Sequence, residues 1–305
     1  MRINFSKYQK VKVEYLRYLK SQEILSEPFR DKIGQLNKFY LPISEEIFKN
    51  YNYDKKTKII GLAGGQGSGK STISQILKKV LKKAYNLKTV VFSIDDFYKT
   101  KKERKKMSKT VSHLFLTRGV PGTHDTSLLI NCINSFKKNK FKKILIPKFD
   151  KSRDERFPKK NWQKIYKRPD VIIFEGWCVG VTAQKNKDLL VPVNTLEKEK
   201  DKKMIWRKRV NNELKNKYKD IFRLIDKIIF LKVPSFKYVY KWRLLQEQKL
   251  IASSRGKSIM KPSQVKSFIM FYERLTKHML QSLSKKAEFV IKIDKKHRLK
   301  SMKTN

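Results

Sequence analysis

Cysteine is nearly absent from this sequence: Cys132 and Cys178 are the only two in 305 residues. So few thiols rule out a disulfide-stapled miniprotein. The opening Met-Arg-Ile-Asn-Phe-Ser-Lys has no continuous apolar stretch of a secretory signal, and a reducing cytoplasm is the expected compartment. Long hydrophobic runs are missing too. Stretches such as Ile144 to Ile146 and Val171 to Phe174 meet charge long before the roughly 18 to 20 residues of a membrane span, so a soluble protein is expected. With 11 glycines and 9 prolines, no Gly/Ser-rich or Pro-rich linker divides the chain, and no internal repeat is found. Acidic residues are the scarcest class for their importance: 27 Asp and Glu stand against 74 Lys and Arg, a formal net charge of +47.

Apolar side chains are abundant. A hydrophobic content of 39%, with 13 Tyr, 18 Phe and 4 Trp, is too rich for a disordered basic tail and sufficient for a large core. The charge suggests a nucleic acid or an anionic membrane as partner, because clustered bases release counterions from phosphates. Its distribution favours a lysine-rich surface on an ordinary enzyme: 59 of the 74 are Lys, spread through nearly every segment, whereas base readers lean on Arg forks. The runs Lys99 to Lys109 and Lys137 to Lys143 read as solvated faces. Zinc-finger spacing, basic-zipper heptads and an aromatic RNP pattern are absent, so neither a specific nucleic acid nor a membrane is the expected partner.

Residues 1–56 carry apolar positions at helical spacing (Tyr15, Leu16, Leu19; Ile33, Leu36, Tyr40), predicting two or three amphipathic helices as an N-terminal extension. From Thr57 strands alternate with helices. Strands are expected at 58–62, 88–94, 143–147, 170–174, 227–232 and 288–293, and helices at 70–84, 125–138, 201–218, 235–252 and 262–282. That alternation predicts an α/β doubly wound parallel sheet of about five strands with helices on both faces. The expected division is the extension, one domain over 57–298, and a basic tail at 299–305.

Gly64-Gly65-Gln66-Gly67-Ser68-Gly69-Lys70-Ser71-Thr72 satisfies G-x-x-x-x-G-K-[ST] between an apolar strand and an amphipathic helix, the setting of a P-loop NTPase. Its glycines would let backbone N–H groups of Gly65 to Thr72 converge on phosphate oxygens at a helix N-terminus. Lys70 would reach the β- and γ-phosphates of ATP, and the Ser71 hydroxyl would ligate Mg2+. A glycine-rich strand-to-helix turn alone would not need Lys and Ser at these offsets.

Transfer to a hydroxyl also needs a metal anchor and a carboxylate that takes the proton. Asp95 and Asp96 end the second strand at the carboxyl edge of the sheet, where ligands bind; either could instead cap the next helix. Glu175 ends the apolar run Asp170 to Phe174 and fits a Mg2+-holding acid, with a solvent-exposed strand end as the alternative. Cys178, next to Trp177, reads as a buried inert thiol.

The ordered set Gly-Gly-Gln-Gly-Ser-Gly-Lys-Ser, Ser-Ile-Asp-Asp-Phe-Tyr, Arg-Gly-Val-Pro-Gly-Thr-His-Asp, Phe-Asp-Lys-Ser, Phe-Glu-Gly-Trp and Trp-Arg-Leu-Leu-Gln-Glu resembles the plant-type D-glycerate 3-kinases and their kinase-like relatives. These are a branch of the P-loop kinases that includes uridine kinase, phosphoribulokinase and pantothenate kinase, and the resemblance covers about residues 40–298. It implies an ATP- and Mg2+-dependent kinase for a small anionic metabolite, with D-glycerate as the leading acceptor and a nucleoside, pantothenate or a sugar phosphate as alternatives. A nucleic-acid-stimulated ATPase would use the same loop but has no need of the acceptor-side motifs.

By the resemblance Asp95 is the general base, close to the metal, and Asp96 and Tyr98 flank the acceptor pocket. Arg118, His124 and Asp125 belong to a substrate-side loop, where an Arg fork suits a carboxylate; His124 could equally be structural, and Asp125 could cap the helix at Thr126. Asp150, Arg153 and Arg156 would reach acceptor hydroxyl and carboxylate groups, although the plant Gly-rich loop is replaced here by Arg153-Asp154-Glu155-Arg156. Arg243 would close over the transferring phosphoryl group, or else be a surface arginine.

Overall fold

The structure is a computed structural model that describes residues 3–23, 29–138, 140–253 and 260–305, with backbone alone for 248–253. Its strands are β1 (Lys58–Gly64), β2 (Thr89–Ser93), β3 (Ile144–Ile146), β4 (Phe149–Asp150), β5 (Glu155–Arg156), β6 (Gln163–Ile165), β7 (Val171–Gly176), β8 (Lys227–Lys232), β9 (Phe289–Ile293) and β10 (Leu299–Thr304). The helices are α1 (Phe5–Gln22), α2 (Lys32–Gln35), α3 (Leu41–Asp54), α4 (Lys70–Tyr85), α5 (Lys101–Thr110), α6 (Thr126–Lys137), α7 (Thr195–Lys200), α8 (Ile205–Glu213), α9 (Lys219–Phe222), α10 (Phe236–Ser253) and α11 (Pro262–Lys286).

The central sheet runs β10-β9-β8-β1-β7-β2. From β2 through β9 its neighbours pair in parallel, and β10 closes the edge antiparallel to β9. The expected parallel sheet is therefore present, with one addition. Leu299–Thr304, expected within a basic tail, pairs with β9 from Leu299↔Ile293 to Thr304↔Phe289, with a shift of register between Leu299 and Ser301. A second departure concerns residues 143–147. Ile144–Ile146 pairs with Gln163–Ile165 in a separate two-stranded ribbon, because its apolar face meets α6 and not the central strands.

Strand alternation sorts the interior into two layers. Ile59, Ala63, Ile172, Phe174 and Phe230 join Leu129, Ile133 and Phe136 of α6 and Met279 and Leu283 of α11 on one side. Ile60, Leu62, Ile173, Ile229 and Leu231 join α4 on the other, through Ile73, Leu77, Val80 and Leu81. Central strands buried on both faces are apolar along their middles, as β1 and β7 are, with the charged Lys58 and Glu175 only near their ends. The N-terminal helices share this second layer: Val11, Tyr15 and Leu19 of α1 and Ile43 and Ile47 of α3 are buried in it. The extension is continuous with the sheet's core. Among the described residues no helix is long and apolar enough to cross a membrane.

α4 sets the site, because it starts at the carboxyl end of β1. Its apolar positions Ile73, Ile76, Leu77, Val80, Leu81 and Ala84 form one stripe on the sheet, and Asn86 ends it in the left-handed conformation. Leu77 is fully buried. Leu77→Ala should cost about 2–5 kcal/mol, read as a lower denaturation midpoint in urea with an unchanged m-value.

Candidate active site

β1 is buried along its whole length and delivers Gly64 to the carboxyl edge of the sheet. The chain then turns through Gly67 and Gly69, whose φ angles of +75° and +85° lie in the left-handed region. A Cβ on Gly67 would sit 2.7 Å from that of Trp242 on α10, so this position also requires glycine for space. Lys70 at the start of α4 donates to the carbonyls of Gly64 at 2.9 Å and Gly65 at 3.0 Å. Burial lowers its pKa, opposed by the negative charges of Glu175 and Asp95. The buried Ser68 hydroxyl and both amide atoms of Gln66 have no hydrogen-bond partner in the protein, and unmet buried donors are costly. A chain of phosphate oxygens fits the Ser68 hydroxyl, the Gln66 amide N–H groups, the glycine backbone N–H groups and the Lys70 ammonium.

Parallel register then brings the acids alongside. Glu175 pairs with Leu62 on β1 and with Ser93 on β2, so the ends of three strands lie level. The Ser71 hydroxyl, in the first turn of α4, donates to Glu175 at 3.0 Å and 3.3 Å. Burial raises the pKa of Glu175, against the pull of Lys70. No group of three His, Cys, Asp or Glu side chains among the described residues could hold a metal on its own. Mg2+ is usually bound by one or two carboxylates together with substrate phosphates, and the paired Ser71 and Glu175 oxygens fit that mode.

Asp95 and Asp96 follow β2 in a 3₁₀ turn, Ile94–Phe97. Asp96 closes a capping box with Ser93, accepting from its N–H at 3.1 Å, and Lys148 lies 3.4 Å from its carboxylate. Burial raises its pKa. Capping and site position thus coexist. Asp95 accepts from the Tyr98 hydroxyl at 2.9 Å and from Lys151 at 2.7 Å. Burial alone would raise its pKa, but Lys151, His124 and Tyr98 outweigh it and hold the carboxyl well below the usual range. A cavity of about 340 Å³ opens beside Ser71, Glu175, Asp96 and Lys148.

The substrate-side loop meets the β4–β5 hairpin here. Arg118 pairs with Asp154, donates to the Lys151 carbonyl at 3.2 Å and lies 5.5 Å over the Phe149 ring. His124 is fully buried, stacks on Tyr98 at 4.5 Å between centroids and contacts the Tyr218 hydroxyl at 2.6 Å through Nδ1, while Nε2 has no partner. Asp125 does cap α6, accepting from Leu128 N–H at 3.0 Å, and also faces Arg156 at 3.4 Å. Arg156 in turn donates to the Tyr98 carbonyl at 2.8 Å.

Asp150 is engaged in its own turn, accepting from Ser152 N–H at 2.9 Å and Arg153 N–H at 3.2 Å. The Arg153 side chain is 83% exposed at the hairpin tip. Arg243 pairs with Glu247 and lies over Phe268, and its charge, like that of Asp95, acts on the buried Tyr272. Cys178 is buried, and burial pushes its thiol up.

Two residues escape sequence reading. Lys151 sits in the Phe-Asp-Lys-Ser motif, but only the folded hairpin brings it to Asp95. Arg104 lies in the basic run 99–109 that reads as a solvated face, yet it is 1% exposed. It donates to the carbonyls of Lys99, Leu116 and Asp154 at 3.2, 2.6 and 3.0 Å and pairs with the Asp154 carboxylate at 2.8 Å. The Thr100–Glu103 capping box that starts α5 was the available signal that this run is an anchored helix.

Comparison with known proteins decides the family. The Phosphoribulokinase / Uridine kinase family profile matches residues 59–242, more than half of the chain and all of the loop, acid and hairpin positions just described. The chain belongs to that kinase family. The uncharacterized kinase mug58 of Schizosaccharomyces pombe is 35% identical over 236 residues, 75% of this chain and 83% of that protein. The chloroplastic D-glycerate 3-kinase of Arabidopsis thaliana is 28% identical over 233 residues, 74% of this chain and 48% of that longer protein. Among solved structures, D-glycerate 3-kinase from Cryptococcus neoformans var. grubii superposes with a TM-score of 0.72 at 23% identity, over 87% of this chain and 97% of that one. That structure attests the fold.

His124 gives the kinase a calculable pH response. Burial lowers its pKa from 6.5 to about 4, so as pH falls through that window the unfolded chain binds a proton that the native chain refuses. Stability from this group is complete above the unfolded value and declines by up to about 3 kcal/mol as pH falls towards the folded one. Urea denaturation at pH 7 and pH 4.5 should show a shallower loss for His124→Gln than for the parent. Parallel losses would remove His124 from the acid response.

Proposed function

We propose that this kinase uses ATP and Mg2+ to phosphorylate a hydroxyl of a small anionic metabolite, with D-glycerate as the leading acceptor. The observation that carries the reading is the Asp95 carboxylate, held between Tyr98 and Lys151 at the end of β2, beside the Ser71–Glu175 contact. A desolvated carboxylate next to a phosphate loop is what hydroxyl activation requires.

The backbone of Gly65 to Thr72 and the Lys70 ammonium would hold the ATP phosphates, and Ser71, Glu175 and Asp95 would hold Mg2+, which neutralises charge on the phosphates. Lys70 must leave the Gly64 and Gly65 carbonyls to reach the transferring group. Asp95 would accept the proton of the acceptor hydroxyl. Paired with Lys151 it is a weak base, so the acceptor's own carboxylate is needed to draw Lys151 away and raise the basicity of Asp95. Arg118 and Arg156, with Asp96, Tyr98, His124 and Asp125, would line the acceptor pocket. Asp150 and Arg153 would contribute at its rim, and Arg243 would have to release Glu247 to approach the phosphates.

Two things support glycerate over other acceptors. The Arabidopsis relative carries that activity by name, and Lys151 on Asp95, with Arg118 on the Lys151 carbonyl, suits a carboxylate. The replacement loop Arg153-Asp154-Glu155-Arg156 keeps nucleosides, pantothenate and sugar phosphates in the comparison. The test is ADP release over a panel of hydroxy acids, nucleosides and sugar phosphates, with polynucleotide included. Glycerate is expected to give the highest kcat/KM. A strong signal from another acceptor and none from glycerate would overturn the substrate assignment, and stimulation by polynucleotide alone would overturn the small-molecule reading.

Asp95→Asn should lower kcat by about 10²- to 10⁴-fold with ATP affinity retained, because the amide keeps the shape and loses the base. Unchanged turnover would exclude Asp95 from proton transfer.

A further inference from the structure

A cavity of about 480 Å³ adjoins the phosphate loop, and Asp95 is not among the residues that line it. Its floor is Gly67 to Gly69 with Thr72, and the partnerless Ser68 hydroxyl, in a residue only 2% exposed, belongs to it. Its inner wall is Trp242 of α10 stacked on His297 at 4.3 Å and 24° between ring planes. His297 sits in the β9–β10 turn, which Asp294 fixes by accepting from Arg298 at 2.8 Å and from the backbone of Lys296 at 2.9 Å. The outer wall comes from the N-terminal extension: Tyr15, Leu19 and Gln22 of α1, with Phe29 and Arg30. Glu23 holds that last pair in place, accepting from Phe29 N–H at 2.7 Å and from Lys32 at 2.9 Å.

We infer that the N-terminal extension forms part of the nucleotide site: through Phe29 and Arg30 it supplies the outer wall of the cavity into which a nucleotide held by the phosphate loop extends its nucleoside. The inference rests on the kinase reading above. The cavity is open to the phosphate loop, so a ligand with its phosphates on Gly67 to Thr72 has its remaining bulk here. Its volume suits a base and ribose, lying within the range of small-ligand sites. Flat aromatic groups on one side and an aromatic ring with a guanidinium on the other suit a planar heterocycle, since guanidinium and aromatic planes both stack. Phe29 and Arg30 are exposed, so their removal leaves the packed side of α1 intact.

The experiment compares two ligands on the full chain by calorimetry. ATP carries the nucleoside, and inorganic tripolyphosphate does not. Phe29→Ala and Arg30→Ala should each weaken ATP about tenfold while changing tripolyphosphate less than twofold, with melting temperatures equal to the parent's in the absence of ligand. Equal weakening of both ligands would make Arg30 a simple charge effect and overturn the inference. Unchanged ATP affinity would do the same while leaving the kinase reading standing. A parent that binds neither ligand would overturn the kinase reading and this inference with it.

Discussion

The parallel pairing of β7 between β1 and β2 is the constraint on which the rest of the molecule depends. Because Glu175 pairs with Leu62 on one side and Ser93 on the other, a slip of two residues would move the carboxylate about 7 Å along the strand and off the Ser71 hydroxyl. A slip of one residue would turn it into a face filled with apolar side chains. Both cores resist such slips, since Ile172 and Phe174 face one layer and Ile173 the other. The hydrophobic alternation of an otherwise featureless apolar strand therefore fixes the Glu175–Ser71 contact of the candidate site.

A second consequence of burial is electrostatic. In a chain with 47 surplus positive charges, lysine at the surface is ordinary, and its effect is screened within about 8 Å at physiological salt. Acids placed at strand ends away from water escape that screening. Asp95, Asp96 and Glu175 feel neighbours strongly, and their pKa values move in different directions: Asp95 down beside Lys151 and Tyr98, Asp96 and Glu175 up through desolvation. Three carboxylates within one crevice thus hold different proton affinities. Arg104 works at one remove, binding the hairpin that carries Lys151 to the loop that carries Arg118 through Asp154.

Much of this was legible in the sequence where chemistry and chain order coincide. The phosphate loop is contiguous, and Asp95, Asp96 and Glu175 announce themselves as rare acids ending apolar runs. What stayed hidden depends on contacts between distant segments. The Lys151–Asp95 pair spans 56 positions, and no local pattern distinguishes Lys151 from its many neighbours of the same type. Arg104 was masked by composition, and Leu299–Thr304 by its lysines, which sit on the exposed side of an edge strand as such residues commonly do. Arg243 lies on the helix where its motif places it, but which partner an arginine holds is decided by tertiary packing.

The N-terminal segment shows why a boundary drawn from pattern can mislead about function. A change from helical spacing to strand alternation at Thr57 looks like a division between modules. Yet α1 buries Val11, Tyr15 and Leu19 in the layer that also contains α4, and Glu14 reaches Lys79 on that helix at 2.6 Å. Any displacement of α1 would therefore load the helix whose first turn presents Lys70 and Ser71. A chain starting at Thr57 would uncover the part of this layer that Val11, Tyr15, Leu19, Ile43 and Ile47 cover, at about 25 cal/mol for each Å² of apolar surface exposed. In this chain the extension and the helix that follows the phosphate loop share one core, so the position of that helix's first turn rests on contacts from both.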